Sequence, residues 1–480
     1  MQVNLLYLMQ VYQVKLNNLH PDFVTHLLSG EFQEFENKLS EYCTDLYNQI
    51  ASIIVATTIE STELKQIARI IGQKKGLAEL RKKETKVQLK TGYFIKFYSW
   101  YASRTQPKRK TKQKRGPNGS GYYPLLEYWG CIQKASPGYY SYICTLSVIC
   151  PSFDVVLKIL EAQKIAAEYN RIKKIAYAVG ESSFSNRIKI GLKPNENVKG
   201  KRVIISIDGG RTRMRENNPD KKSSKTNKGK RDKFDTPWRE PKLFVIHTLD
   251  KDGSISKNTL PVYDAIISGD DDKSAADCAF GLLGDYLKQL KINEAEEVLF
   301  IADGADWIWN RVQSTLLKLG VPKDKITEAV DYYHAVEHIS EIITKLRFGS
   351  KKKKTLFKEL KKLLWDGKLE QFISKVTEIA KERKIILDKL NYFHKHKNRM
   401  KYNRLRENKL PCGSGVIESA VRRIINLRFK SPSTFWISEN VEKLIFLRAI
   451  FLADRWNIMI NNLVKANHYP LQIQLKLVIN

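Results

Sequence analysis

The sequence predicts an α/β protein in which a sheet-containing core follows a mainly helical N-terminal region. Apolar residues recur at helical spacing from about residue 31 to 88, beginning with Phe32, Phe35 and Leu39. Two later runs, 203–207 and 298–302, are short and mostly apolar, contain β-branched residues, and are each followed by Asp-Gly. Such runs predict buried strands that halt at a sheet edge and present a last side chain there.

The composition is that of a large and strongly basic protein. At 480 residues the chain is too long for one ordinary core, which predicts two to four domains. Its 83 Lys and Arg against 51 Asp and Glu give a formal net charge of +32. This balance is typical of nucleic-acid binding, with a basic protein of no special function as the alternative. The 6 cysteines form no C-x-x-C pair, which argues against a zinc ribbon and a disulfide framework.

No segment fits an export signal or a membrane span. Residues 1–12 are apolar, but they lack an initial positive charge and are interrupted by Gln and Asn. We expect a loosely ordered extension there. No later stretch reaches about 18 uninterrupted apolar residues, the length that a membrane helix needs. The sequence therefore predicts a soluble, cytoplasmic protein with no membrane partner.

The predicted elements divide the chain into five regions. Residues 1–90 form a helical region whose task the sequence does not indicate. Residues 91–198 combine a strand ribbon, a basic arm and helices that bind DNA. Residues 199–338 hold the first part of the core, 339–410 form a basic helical insertion, and 411–480 complete the core and end in a tail.

A basic arm is predicted between the strands of the second region. Polar and aromatic residues alternate from Val87 to Tyr101, which predicts a ribbon of strands around the basic tract 104–121. The tract is interpreted as a mobile arm for DNA phosphates, carried by Lys108, Arg109 and Lys110. A solvated loop is the equally weighted alternative.

Helical periodicity returns from residue 132 to 190. The Gly-Glu-Ser-Ser segment at 180–183 is interpreted as a break that could complete a helix-turn-helix. A plain helical bundle is slightly favoured over it. Further on, a second basic loop at 221–233 separates the run ending at Asp208 from another strand-like run at 241–249, which predicts an antiparallel pair in the core sheet.

Three acidic residues stand in settings that favour metal binding. Asp208 and Asp303 follow the two predicted strands, and Glu418 lies in Gly-Ser-Gly-Val-Ile-Glu at the start of a predicted helix. Acidic ligands that converge from different elements can hold two metal ions roughly 3.5–4 Å apart. Mg²⁺ suits such a site, with Mn²⁺ as a substitute, because it takes few protein carboxylates. In a basic chain, this trio predicts a nuclease or strand-transfer enzyme.

Four motifs resemble those of bacterial insertion-sequence transposases of the DDE type, and the ISKra-type elements are the most similar group. The motifs are Ser206-Ile-Asp-Gly-Gly-Arg, Ala302-Asp-Gly-Ala-Asp-Trp-Ile-Trp, Asp331-Tyr-Tyr-His-Ala-Val-Glu-His and Gly413-Ser-Gly-Val-Ile-Glu-Ser-Ala. The resemblance spans roughly residues 90 to 460. It implies a ribonuclease H-like catalytic core with a helical insertion before the last acid.

The resemblance also implies an activity and the residues that carry it. Asp208, Asp303 and Glu418 would be catalytic metal ligands in a protein that binds the inverted ends of its element, hydrolyses a phosphodiester and transfers the 3′-hydroxyl into target DNA. Two ends must be synapsed, so we expect a homo-oligomer in the bacterial, nucleoid-associated cytoplasm. The basic residues interpreted as DNA contacts near these motifs are Arg211, Arg422, Arg423, Arg428 and Lys430.

The phrase His334-Ala-Val-Glu-His338 satisfies the H-x-x-E-H pattern of a zinc metalloprotease, which is a minor alternative built on His334, Glu337 and His338. In a transposase, these residues and Asp331 would orient the metal site or DNA without binding the metal. A structural histidine is the simpler interpretation. Asp331 could also replace one of the three acids.

Two further interpretations stay open. A catalytically inactive DNA-binding protein derived from a transposase is the main alternative to the enzyme. Trp307 and Trp309 could stack on an unpaired DNA base, although core packing is favoured for two tryptophans on one helix.

Overall fold

The computed structural model describes residues 2–103, 121–217, 234–267, 272–381, 383–431 and 434–466. The predicted arm with Lys108, Arg109 and Lys110, and the whole of the second basic loop at 221–233, lie outside these ranges. The chain divides into two compact units, residues 1–183 with 460–480 and residues 184–459. No helix among the described residues is long and apolar enough to cross a membrane.

The first unit begins with three helices and a β-hairpin. The helices are α1 (Gln2–Leu28), α2 (Phe32–Thr58) and α3 (Thr62–Lys74). The opening segment is therefore helical, and the expectation of a loosely ordered extension was wrong. Strands β1 (Glu79–Gln88) and β2 (Phe94–Ser103) pair antiparallel, and the short β3 (Gly121–Tyr122) joins β2.

The hairpin corrects the helical prediction for residues 79–88. Strand β1 is rich in exposed Lys and Glu, so its sequence shows no apolar alternation. Its extended form follows from pairing with the aromatic strand β2, which buries Ile95 and Phe97 against Ile67 and Ile71 of α3. The extended conformation of a mostly polar strand depends on the strand that it pairs with, and the periodicity of its own sequence does not reveal it.

Helices fill the rest of the first unit. They are α4 (Pro124–Tyr128), α5 (Pro137–Ile149), α6 (Phe153–Ala162) and α7 (Tyr169–Phe184). The side chains of Ser136 and Ser152 cap α5 and α6. The segment 180–183 lies inside α7, so the predicted break there was wrong, because Gly180 and Ser183 are buried within a continuous helix.

The second unit contains a five-stranded mixed sheet. Its strands are β4 (Arg202–Gly209), β9 (Lys242–Leu249), β10 (Val262–Ile266), β11 (Glu297–Ala302) and β12 (Ile326–Val330). Their order is β10-β9-β4-β11-β12. Strand β9 is antiparallel to both neighbours, whereas β4, β11 and β12 are mutually parallel. The predicted antiparallel pair across the second basic loop is confirmed.

Four two-residue strands lie between β4 and β9 in the chain. They form two antiparallel pairs: β5 (Thr212–Arg213) with β8 (Trp238–Arg239), and β6 (Glu216–Asn217) with β7 (Phe234–Asp235). All eight residues of β9 are buried, so the sheet has no solvent-exposed face along this strand.

The remaining helices follow in chain order, and four of them lie inside the region predicted as an insertion. The helices before the insertion are α8 (Arg187–Gly191), α9 (Asp272–Gln289), α10 (Asp306–Lys318) and α11 (Tyr332–Lys345). The insertion consists of α12 (Ser350–Trp365), α13 (Leu369–Ala380), α14 (Lys384–Lys395) and α15 (Tyr402–Glu407). The remaining helices are α16 (Gly415–Ala420), α17 (Leu427–Phe429), α18 (Ser438–Leu452) and α19 (Trp456–Ala466), with a π-helical segment, Val421–Asn426, between α16 and α17.

A buried arginine ties the edge of this unit together. The guanidinium of Arg455, only 1% exposed, donates to both carboxylate oxygens of Glu196 at 2.8 and 2.9 Å. It also donates to the carbonyls of Gly191, Leu260 and Pro261. Burial alone would raise the pKa of Glu196, but the hydrogen bonds and charge of Arg455 hold it below its ordinary value.

We predict that Arg455→Leu lowers the free energy of unfolding by about 3–5 kcal/mol, because it leaves the Glu196 carboxylate and three carbonyls without their donor. Urea denaturation followed by circular dichroism measures the loss. Lys199→Ala is the matched control, since Lys199 forms an exposed pair with Glu294 at 3.4 Å and should change stability by less than about 1 kcal/mol. Equal effects in the two variants would contradict the prediction.

Candidate active site

The central strands bring two of the predicted acids to one end of the sheet. Strands β4 and β11 are parallel, with Ile205 opposite Phe300. Three residues beyond this pair along the two segments lie Asp208 and Asp303, and the charge of Asp303 is close enough to raise the pKa of Asp208. Aligned residues of parallel strands face the same side of a sheet, so the two half-buried carboxyl groups share one environment.

The pKa of Asp208 reflects that environment. Burial raises the pKa from its ordinary value of 3.8 to about 6. A hydrogen bond from the Gly209 backbone N–H, at 2.6 Å, and the nearby His334 oppose the rise, whereas the charges of Asp303 and Glu240 add to it. A carboxyl group that is desolvated beside other acids is poised to accept a cation.

The glycines that follow the two aspartates make room for other side chains. A Cβ atom at Gly209 would overlap the carboxylate of Glu240, and one at Gly304 would overlap the ring of Tyr392. At Gly210, a Cβ would lie 2.6 Å from Ile425. Both strands end at Asp-Gly, as the sequence predicts, and in the structure the glycines also permit close approach to the acids.

Glu240 is a site residue that sequence reasoning missed. It lies beside Gly209 and near enough to Asp208 to raise the pKa of that carboxyl group. The ammonium of Lys242 donates to its Oε1 at 2.9 Å. Glu240 lies between the two-residue strand β8 and strand β9, and no run of apolar residues precedes it, so the sequence pattern that marks Asp208 and Asp303 does not lead to it.

The backbone around Asp303 is fixed by helix α10. Asp303 Oδ1 accepts a hydrogen bond from the Ala305 N–H at 3.0 Å, and the Asp303 carbonyl accepts one from the Trp309 indole at 2.6 Å. Trp309 is 7% exposed and packs on Phe300. The hypothesis that it stacks on a DNA base is therefore wrong for this conformation, and core packing holds. Trp307 is half-buried beneath the ammonium of Lys242.

Asp331 ties the third acid's helix to the sheet. It is fully buried, and its Oδ2 accepts hydrogen bonds from the Ser414 N–H and, at 2.6 Å, from the Ser414 hydroxyl. Its Oδ1 accepts the His334 N–H at 2.9 Å and so caps α11. With both oxygens engaged, Asp331 is a tether and not an open metal ligand in this conformation.

Glu418 is presented by the short helix that this tether holds. The helix α16 begins at Gly415, directly after Ser414, and packs against β4 and β9. Its Glu418 side chain is exposed in the first turn. The predicted helical setting of Glu418 is confirmed, and the helix belongs to the same end of the sheet as the two aspartates.

The H-x-x-E-H residues line one face of α11. His334 Nδ1 lies 3.2 Å from the Glu337 carboxylate, and the His338 ring stacks on Tyr392 with centroids 3.8 Å apart. Burial lowers the pKa of His338 below its ordinary value. His334 is close enough to lower the pKa of Asp208, which places it beside the acidic pair.

No three His, Cys, Asp or Glu side chains in the described part of the chain are close enough together to hold one metal ion. This applies equally to the zinc set of His334, Glu337 and His338 and to the acidic trio. The pair of Asp208 and Asp303 still fits Mg²⁺, because this ion keeps several waters and needs only one or two carboxylates beside substrate phosphates.

The predicted DNA-contact residues differ in exposure. Arg211, Arg422 and Lys430 are exposed, and Arg423 is half-buried. Arg428 is 2% exposed and lies over Trp436, with its guanidinium carbon 5.0 Å from the ring centroid. The interpretation of Arg428 as a DNA contact is corrected here: its guanidinium is packed in the interior, where no phosphate reaches it.

Comparisons with known proteins give similar solved structures but no family. No protein-family model and no curated protein matches this sequence. Among solved structures, a chain of a Drosophila P element transposase strand transfer complex aligns at 11% identity, covering 67% of this chain and 80% of that one, with a TM-score of 0.24. A likeness at this TM-score carries no argument about fold or function.

We predict that Asp208→Asn raises the free energy of unfolding at pH 8 in metal-free buffer by about 1–3 kcal/mol. The folded-state pKa of about 6 exceeds the ordinary 3.8, so the stability of the wild type falls as the pH rises between these values. Asn imitates the protonated form. The difference should be present above pH 6 and shrink towards pH 4 in paired urea titrations; a destabilised variant at pH 8 would contradict it.

We predict that Asp331→Ala lowers the free energy of unfolding by about 3 kcal/mol, because the buried Ser414 donors lose their acceptor. Amide hydrogen exchange in residues 412–418 should accelerate more than elsewhere. Asp306→Ala is the control, since Asp306 forms an exposed pair with Lys395 and should cost less than about 1 kcal/mol. Unchanged exchange at 412–418 would rule out the tether.

Proposed function

We propose that this chain is a DNA transposase of the DDE type, which acts as a nuclease and a DNA strand transferase. The observation that carries the proposal is the pair Asp208 and Asp303 at the ends of neighbouring parallel strands, with the Glu418 helix packed on the same sheet. Two-metal phosphodiester chemistry uses acids from separate elements at one site, and here the pair of aspartates would supply the first of them.

A ribonuclease H-like core belongs to the same proposal. The support is the five-stranded mixed sheet, in which the second strand along the chain is antiparallel and the first acid lies on the central strand. The four-helix insertion between β12 and the Glu418 helix matches the helical insertion that the family resemblance implies. Membership of the ISKra-type group stays a hypothesis based on the four motifs.

In the proposed reaction, Asp208 and Asp303 would hold one divalent cation, and Glu418 would supply a further carboxylate for a second one. Bound Mg²⁺ or Mn²⁺ would lower the pKa of an attacking water and stabilise the departing oxygen. Water adds to phosphorus as the P–O3′ bond breaks, which frees a 3′-hydroxyl. That hydroxyl then attacks a phosphorus of target DNA, and the broken P–O3′ bond releases the target's own 3′-oxygen.

The surface charge supports DNA as the partner. The net charge is +32, and helix α12 exposes Lys351, Lys352 and Lys354 on its first turn. Each Lys or Arg that neutralises a phosphate releases a counterion, so affinity for DNA should fall steeply with salt. Arg211, Arg422 and Lys430 add exposed cations near the acidic residues in the chain.

Two alternative functions would require different features of the chain. A catalytically inactive DNA-binding protein would need the charge but not the acids, so the desolvated Asp208 beside Asp303 would be an unfavourable feature without a use. A zinc protease would need His334, His338 and a third ligand close enough together to hold one ion, and no such group of three is present among the described residues. A homo-oligomer in a bacterial cytoplasm remains part of the transposase hypothesis.

We predict Mg²⁺- or Mn²⁺-dependent nicking of a labelled duplex that carries the DNA bordering the gene, with no nicking in EDTA. Asp208→Asn, Asp303→Asn and Glu418→Gln should each reduce the rate at least about 10³-fold while leaving DNA binding intact, because each removes a proposed metal ligand. Asp306→Asn is the matched control and should cleave normally. Tight binding without cleavage by the wild type would favour the inactive DNA-binding protein.

A further inference from the structure

Tyr392 belongs to the helical insertion, yet its ring reaches the strand end that carries Asp303. It lies on α14, and its ring fills the space where a Cβ atom at Gly304 would stand, with the hydroxyl oxygen 3.0 Å from that point. Gly304 directly follows Asp303 in the chain. The insertion thus delivers one phenolic hydroxyl to the candidate active site.

This hydroxyl is buried without a hydrogen-bond partner among the residues that the structure describes. A buried hydroxyl normally finds a partner, because leaving it unpaired is unfavourable. The surrounding charges are acidic: Asp303, Asp331 and Glu337 all act electrostatically on Tyr392 and, with burial, raise its pKa. The group therefore stays protonated and is set up to donate.

Its neighbours hold the ring in place. The His338 ring stacks on it, tilted by 30° with centroids 3.8 Å apart, and the His396 ring centroid lies 5.0 Å away. The nearest acids already have donors: Asp331 is bonded to Ser414 and His334, and Asp303 Oδ1 accepts the Ala305 N–H. Among the described residues, no group therefore accepts a hydrogen bond from the Tyr392 hydroxyl.

We propose that Tyr392 is a positioning residue whose O–H donates a hydrogen bond to an oxygen atom that completes the cation site at Asp208 and Asp303. The oxygen would be that of a water that accompanies the bound cation when no DNA is present, or that of a DNA phosphate when substrate is bound. The proposal rests on the proposed function. Hydrogen-bond partners around metal ligands typically change metal affinity by 10–100-fold.

The test compares Tyr392→Phe with wild type in two measurements that do not require turnover. The variant keeps the ring that fills the space beside Gly304 and removes only the hydroxyl. In metal-free buffer it should unfold at the same temperature as wild type or higher, because an unpaired buried hydroxyl is gone. Its affinity for Mn²⁺, measured by electron paramagnetic resonance of free Mn²⁺, should fall about tenfold.

Tyr402→Phe is the matched control from the same insertion. Its hydroxyl is also buried but donates to the Val330 carbonyl at 3.1 Å. Removing that hydroxyl should lower the unfolding temperature and leave the affinity for Mn²⁺ unchanged. The two variants should therefore respond in opposite ways, which a purely structural role for both tyrosines does not produce.

The outcomes separate this proposal from the proposed function. Weaker Mn²⁺ binding by Tyr392→Phe without DNA supports the water as partner, and weaker binding only with a duplex present supports the phosphate. Unchanged Mn²⁺ affinity in both conditions overturns the role of Tyr392 and leaves the metal site standing. A variant that is both less stable and weaker in Mn²⁺ binding assigns the hydroxyl to packing and overturns it too. A wild type that binds no Mn²⁺ overturns both proposals.

Discussion

The parallel pairing of β4 with β11 is the constraint on which the candidate site depends. It sets Asp208 and Asp303 side by side, where burial and like charge raise the pKa of Asp208 to about 6. Such a pair opposes folding at neutral pH, so it persists only because the strands beneath it are held by a buried core. A bound divalent cation would relieve the repulsion that the sheet imposes.

The other parts of the site are attached to this pair by short polar contacts. Asp331 ends the strand next to β11 and joins it to both α11 and the Ser414 turn, so the start of the Glu418 helix cannot move independently of the sheet. Tyr392 attaches the insertion at Gly304 in a similar way, through ring packing. The site is therefore an assembly of four separate chain segments around one pair of strands.

The sequence predicted those strands and site residues whose burial leaves a visible pattern of apolar residues. The strands ending near Asp208 and Asp303 are buried on both faces, so their apolar, β-branched runs are visible in the sequence, and the Gly-Ser-Gly turn marks the Glu418 helix. Strand β1 was missed because its residues are mostly charged and its form comes from pairing. The burial of Arg428 was missed because an arginine beside aromatic residues suits a DNA surface and a cation–π contact equally well.

Sequence reasoning missed Glu240 and Tyr392 for the same reason. Each lies against a glycine that follows an aspartate of the candidate site, and neither carries a local pattern of its own. Asp-Gly after a strand has two possible physical meanings: the strand stops, or another side chain must come close. A close neighbouring side chain requires glycine because it leaves no space for a Cβ atom, even where the backbone conformation would allow any residue. Glycines after strand-end acids thus deserve inspection as markers of a neighbour, and at Gly304 that neighbour brings the unpaired hydroxyl into the site.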